Sequence, residues 1–93
     1  MNNAFVADIR LFEREKGWYY VSVPASLSVP LALHADRGLI AITATVGASS
    51  WPTSMLPMGD GTHFIPLPEK VRKREKLLPG MSVQVSFVLR ARK

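Results

Sequence analysis

The 93-residue chain contains no cysteine. Disulfides, thiol catalysis and thiolate-bound zinc are therefore excluded. Long apolar runs are missing too, so no segment reads as a bilayer-spanning helix. The start, Met1 to Asp8, lacks the basic flank and unbroken apolar stretch of a signal peptide. These absences lead us to expect a cytoplasmic protein without membrane contact. Acidic residues are scarce, seven against twelve Lys and Arg, for a net charge of +5. From Glu69 onward there are eight basic and two acidic residues, so the positive charge is concentrated in the last quarter. A basic segment of this kind suits nucleic acid or another polyanion, and equally a solvated surface with no partner. Both readings stay open at this level.

What is present is enough apolar material to fold. Hydrophobic residues make up 47%, which argues against disorder. The length allows one domain, residues 1–93, too small for an elaborate buried active site. Two-residue alternation marks strands at Phe5–Leu11, Ile40–Val46 and Val83–Phe87. Trp18 to Val23, rich in aromatic and β-branched residues, reads as another strand, with Tyr19, Val21 and Val23 on one face. Residues 13–17 form a charged connection ending in glycine, and the chain closes on a basic tail, residues 90–93. Gly47 to Ser50 reads as a turn running into Trp51-Pro52, with a short strand at Thr53–Leu56.

The stretch Thr53 to Lys76 is the densest in signals. Asp60-Gly61 is a hairpin-turn dipeptide, because glycine accepts positive φ and aspartate tolerates it. His63 to Leu67 alternates as a strand, and Pro66 places an edge or end there. Pro68 suits the first turn of a helix. That helix should bury Val71 and Leu78 and fan its cations outward, and Pro79-Gly80 should end it. An earlier segment repeats the pattern. Tyr20-Val21-Ser22-Val23-Pro24 sits over Phe64-Ile65-Pro66-Leu67-Pro68, and Leu27 over Val71. Pro24 would open a first short helix carrying Leu27 and Leu31, cut short by Pro30. Either the chain holds an internal repeat packed about a pseudo-twofold axis, or strand–helix–strand grammar is used twice independently. The expected core joins the helix residues to Ile9, Val21, Ile42, Ile65, Val83 and Val85.

The pattern W-x-Y-V-x-V-P, the block from Thr53 to Lys73, and the later P-G-x-x-V-x-V together carry a resemblance. The chain resembles the domain-of-unknown-function family numbered nineteen-hundred-and-five. The resemblance covers nearly the whole chain. It implies a mainly β fold, a small, partly open, double-split β-barrel with two short helices. That barrel is related in fold to AbrB-type transition-state regulators and MazE-type antitoxins. Fold kinship does not carry their function across. Ser54, Pro57, Gly59, Gly61, Lys70, Arg72 and Lys73 match the family's pattern, and the resemblance assigns them no role.

Nothing spells out a reaction. Ser54, His63 and Asp60 lie in one region but carry no nucleophile elbow, and ordinary turn roles explain Ser54 and Asp60. His34 and Asp36 are the other titratable candidates for catalysis, and a metal site from His34, His63 and Asp60 lacks recognised ligand spacing. We therefore expect no catalytic residue, no metal and no cofactor. Binding is better supported. Lys70, Arg72, Lys73, Arg74 and Lys76 on one short helix could grip phosphates, with Arg72, Lys73 and Lys76 on its outer arc. Trp18, Trp51 and Tyr20 could offer stacking faces to single-stranded nucleic acid. The competing explanations are a solvated cationic face and aromatic barrel packing. A different class of function is protein interaction or self-association through the apolar run Met55-Leu56-Pro57-Met58, read as a loop. The Gly59-Asp60-Gly61 run is fully explained as a turn.

Overall fold

Alternation in the sequence becomes inward and outward side chains in the structure. In the computed structural model, which describes residues 3–12 and 18–90, strand β4 (Ile40–Val46) buries every second residue. Ile40, Ile42 and Ala44 are fully enclosed. β1 (Asn3–Asp8), β2 (Arg10–Phe12), β3 (Trp18–Ser22), β5 (Ser49–Pro57), β6 (His63–Leu67) and β7 (Ser82–Leu89) complete a seven-stranded antiparallel sheet. Helix α1 (Ala25–Leu31) follows β3, and α2 (Glu69–Glu75) follows β6. The expected connection at 13–17 and the tail beyond Arg90 lie outside the described residues.

The strand order is β1-β7-β4-β5-β6-β3-β2. It begins and ends on consecutive strands separated by Ile9 alone, so the sheet curls into a partly open barrel. Ile9 turns its side chain into the core, 2% exposed. Its backbone is tied to the chain ahead of β7, donating to the Met81 carbonyl and accepting from the Gly80 N–H. β5 is the second strand that changes partners. It pairs with β4 from Ser49 to Met55, then with β6 only at Leu56 and Pro57. Beyond that point β5 and β6 part, leaving a split. Pro66 therefore lies where β6 has a neighbour on the β3 side alone, which is where a missing donor is tolerated.

The internal repeat is visible in the register. β3 and β6 pair antiparallel with Val21 opposite Ile65 and Tyr19 opposite Leu67. Turning that pairing about Val21–Ile65 predicts Val23 opposite His63, and the Val23 N–H does donate to the His63 carbonyl. Pro24 and Pro68 end the two strands in extended conformations, ψ 145° and 154°, and act as N-caps immediately before the helices. Each helix has seven residues. Across the axis each helix reaches the other half's strand. Ser28 Oγ lies 2.5 Å from His63 Nδ1, and the Arg72 guanidinium stacks 4.0 Å above the Tyr19 ring centre. Ser28 and Arg72 occupy the same position, the fourth residue after the proline.

Several expectations need correction. β5 begins at Ser49, so only Gly47-Ala48 turns and Trp51-Pro52 lies within the strand, opposite Ala44 and Thr43. Consequently Met55 is fully buried and Leu56 is half-buried; the run 55–58 is not an exposed loop. Leu78 is 64% exposed and Leu77 takes the core place at 6%. The reason is Lys76, whose left-handed backbone (φ 56°, ψ 48°) stops α2 and breaks the wheel that linked Val71 to Leu78. Tyr20 is buried rather than offered for stacking. It packs on Phe12 at 4.0 Å between ring centres, with Phe64 edge-on. Leu27, Leu31 and Val83 pack against the core but remain partly exposed.

These positions predict a sharp contrast in urea denaturation. Ile42→Ala or Val85→Ala should cost about 2–5 kcal/mol, and Leu77→Ala should fall in the same range. Leu78→Ala should stay within about 0.5 kcal/mol of wild type. Equal costs at 77 and 78 would contradict the early stop of α2.

Candidate functional site

The split between β5 and β6 is where the basic helix meets the aromatic residues. Val71 anchors α2 in the core. On one side Arg72 stacks on Tyr19 and its Nε–H donates to the Leu67 carbonyl at 3.1 Å. On the other side the Glu75 carboxylate accepts from the Ser49 hydroxyl at 2.6 Å. Glu75 also fills the space above the Gly47-Ala48 turn, where a Cβ on Gly47 would collide with it. Gly47 has φ 59°, so a side chain there meets strain and collision together.

With α2 clamped in this way, its cations divide. Arg72 is half-buried and holds the helix down, so it does not belong to the outer arc. Lys73 pairs with Glu69 one turn back at 3.2 Å. Both side chains are well exposed, so the pair contributes only about 0.3–0.5 kcal/mol. Lys70, Arg74 and Lys76 are exposed and have no anionic partner within salt-bridge distance among the described residues. Arg90, at the end of β7, is engaged structurally, donating to the Ile42 and Thr53 carbonyls at 2.8 Å each.

Two hollows flank α2. The first, about 440 Å³, occupies the split and is walled by Trp18, Tyr19, Trp51, Pro66, Leu67 and Arg72. The second, about 280 Å³, is lined by Ser49, Ser50, Trp51, Pro52, Lys70 and Arg74. Trp51 and Pro52 form the ridge they share. The indole Nε1–H of Trp51 is shielded from solvent and meets no acceptor among the described residues. An unmade hydrogen bond of this kind costs about 1–3 kcal/mol. A larger hollow of about 520 Å³ lies beyond Glu75, against Leu77, Met81 and Gln84, and no basic residue lines it.

Of the 53–61 segment, Thr53 lines the first hollow and the candidate residues Ser54, Pro57, Gly59, Asp60 and Gly61 are placed elsewhere. Ser54 is half-buried in β5 opposite Ala41, and Pro57 ends that strand opposite His63. The loop then spans five residues, with Gly59 at φ 96° and Gly61 at φ 93°. Asp60 Oδ1 accepts from the Thr62 N–H at 2.9 Å and from its hydroxyl. This is a side-chain-closed turn rather than a two-residue one. None of Ser54, Pro57, Gly59, Asp60 and Gly61 lines either hollow beside α2.

A Ser54–His63–Asp60 constellation is not assembled, because His63 pairs with Ser28 and Asp60 with Thr62. Ser28, missed in the sequence, is 0% exposed and His63 6%, so no substrate reaches their hydrogen bond. The repeat would have flagged Ser28 as the counterpart of Arg72. Among the described residues, no group of three or more His, Asp or Glu could hold a metal ion. No helix there is long and apolar enough to cross a membrane.

The family comparison covers both halves of this arrangement. The model of the family described as "Domain of unknown function (DUF1905)" matches residues 5–87. The chain belongs to that family. Within this DUF1905 chain the matched segment runs from β1 through β7, so both strand–helix units and the split between them are included. No curated protein matches the chain.

The Asp60 turn of this DUF1905 domain has a pH signature. Hydrogen bonds from the Thr62 hydroxyl and then the Thr62 N–H hold the carboxyl below its ordinary value of 3.8. A lowered folded value means the turn is supported above the unfolded value, and that support is lost as pH falls through the folded one. A carbon-detected NMR titration should place the Asp60 midpoint below 3.8, and Thr62→Val should move it upward. Gly61→Val should lower stability by about 1–2 kcal/mol in a thermal melt. An unmoved midpoint and an unchanged melt would remove the turn assignment.

Proposed function

We propose that this domain is a non-catalytic binding module whose α2 face takes a polyanion, nucleic acid above all. The supporting observation is the fate of the two α2 carboxylates. Glu75 is turned inward onto Ser49, and Glu69 is shared with Lys73. Glu75 is thus withdrawn from the outer face and Glu69 offsets Lys73 alone, leaving Lys70, Arg74 and Lys76 in excess. Lys70, Arg74 and Lys76 face solvent on a scaffold that Arg72, Val71 and Glu75 hold in place. Phosphate binding by such a face is mainly electrostatic and driven by counterion release. The non-catalytic part of the reading is supported by the burial of Ser28 and His63 and by the turn role of Asp60.

The experiment is retention on heparin followed by a salt titration with a short duplex. If three phosphates are neutralised, log K should fall against log salt with a slope near −2.7. Raising salt from about 50 to about 200 mM should weaken binding about fortyfold by the same relation. Lys70→Glu with Arg74→Glu should abolish retention and leave the melting temperature unchanged, since both side chains are exposed. A wild-type protein that passes through heparin at about 50 mM salt would overturn the proposal and return α2 to a solvated face.

A further inference from the structure

We infer that the split between β5 and β6 accepts an unpaired nucleobase, so that the ligand of the α2 face is single-stranded nucleic acid. The inference rests on the polyanion reading and adds to it the part of the ligand that is not phosphate. The hollow in the split is lined by two indoles, a phenol, a guanidinium, prolines and a leucine, and also by Glu69, whose carboxylate is paired with Lys73. Base-stacking sites are built from flat aromatic and guanidinium surfaces of this kind. Trp18 is 49% exposed although it sits in a strand, so much of its surface is open to a ligand. Arg72 uses only Nε–H, toward Leu67. Its four Nη hydrogens are not engaged by any described residue and remain for ring nitrogens or carbonyl oxygens.

The second hollow supplies the phosphate. Lys70 and Arg74 stand one helical turn apart on the other side of the Trp51-Pro52 ridge. A nucleotide straddling the ridge would place its base in the split and its phosphate against these two cations. A proline-rich peptide would also suit an aromatic groove. It would leave Lys70 and Arg74 without a counterpart, which is why the charge favours nucleic acid. A double helix, with its bases stacked inside, could use the cations but not the split.

The test compares a twelve-residue oligothymidylate, a twelve-base-pair duplex and heparin, using intrinsic tryptophan fluorescence and equilibrium binding. The single strand should quench the wild-type fluorescence, whereas heparin should bind without comparable quenching. Trp18→Ala should weaken the single strand about five- to a hundredfold and leave heparin affinity unchanged. Lys70→Glu with Arg74→Glu should remove both ligands. If Trp18→Ala does not fold, the wild-type quenching comparison still decides. Equal affinity for all three polyanions without quenching would overturn the base site while sparing the polyanion face. Failure of every polyanion to bind would overturn both. Quenching by a proline-rich peptide but by no oligonucleotide would reassign the split to a peptide.

Discussion

The antiparallel contact between β3 and β6, centred on Val21 and Ile65, is the constraint on which the rest of the molecule depends. Both residues are completely buried, and a strand-to-strand pairing whose register is set by buried residues fixes what is attached to the two strands. Pro24 and Pro68 then end each strand at the same distance from the centre and launch a two-turn helix. Neither helix is long enough to be stable alone. Each is held by reaching over the other half, Ser28 to His63 and Arg72 to Tyr19. The two bends, at Ile9 and along β5, let the same strands serve both sides of the curled sheet.

The two-fold relation makes the difference between the halves meaningful. At the shared position one half carries a serine, short enough to vanish into a buried hydrogen bond with His63. The other carries an arginine, whose length lifts the guanidinium onto Tyr19 at the mouth of the split. The rest of each helix follows the same division. From Ala25 to Leu31 α1 has no charged residue, while six of the seven residues of α2, all but Val71, are charged. The apolar outer residue Val29, 59% exposed, stands where α2 presents Lys73. One side of the pseudo-axis is thus closed by short polar packing, and the other is open and basic.

Much of this was readable from the residues. Strict alternation located β4 and β7, because each has one face against the core and one away from it. The two proline-marked units located both helices and raised the repeat as one of two readings, which the β3–β6 register then favours. β5 was harder, since Ser49-Ser50-Trp51-Pro52 has the composition of a turn and only pairing with β4 makes it a strand. That error hid the burial of Met55. The choice of Tyr20 over Tyr19 failed for a related reason: β3 is covered on both faces, with Phe12 and Phe64 on the second, so a simple alternation could not say which tyrosine is open. The cations of α2 were visible as composition. That Arg72 serves the fold while Lys70 and Arg74 do not depends on how a two-turn helix is clamped, which sequence periodicity does not encode.

The most direct test of this account is a backbone amide chemical-shift map of the whole protein, titrated with a short single-stranded oligonucleotide at low salt. The two-fold relation supplies its own control, because α1 and α2 have equivalent positions but opposite character. The account predicts shifts concentrated at Trp18 and Tyr19, along residues 49–53 of β5 and over residues 67–76, with α1 unmoved. Shifts spread equally over both helices, or centred on residues 25–35, would contradict it.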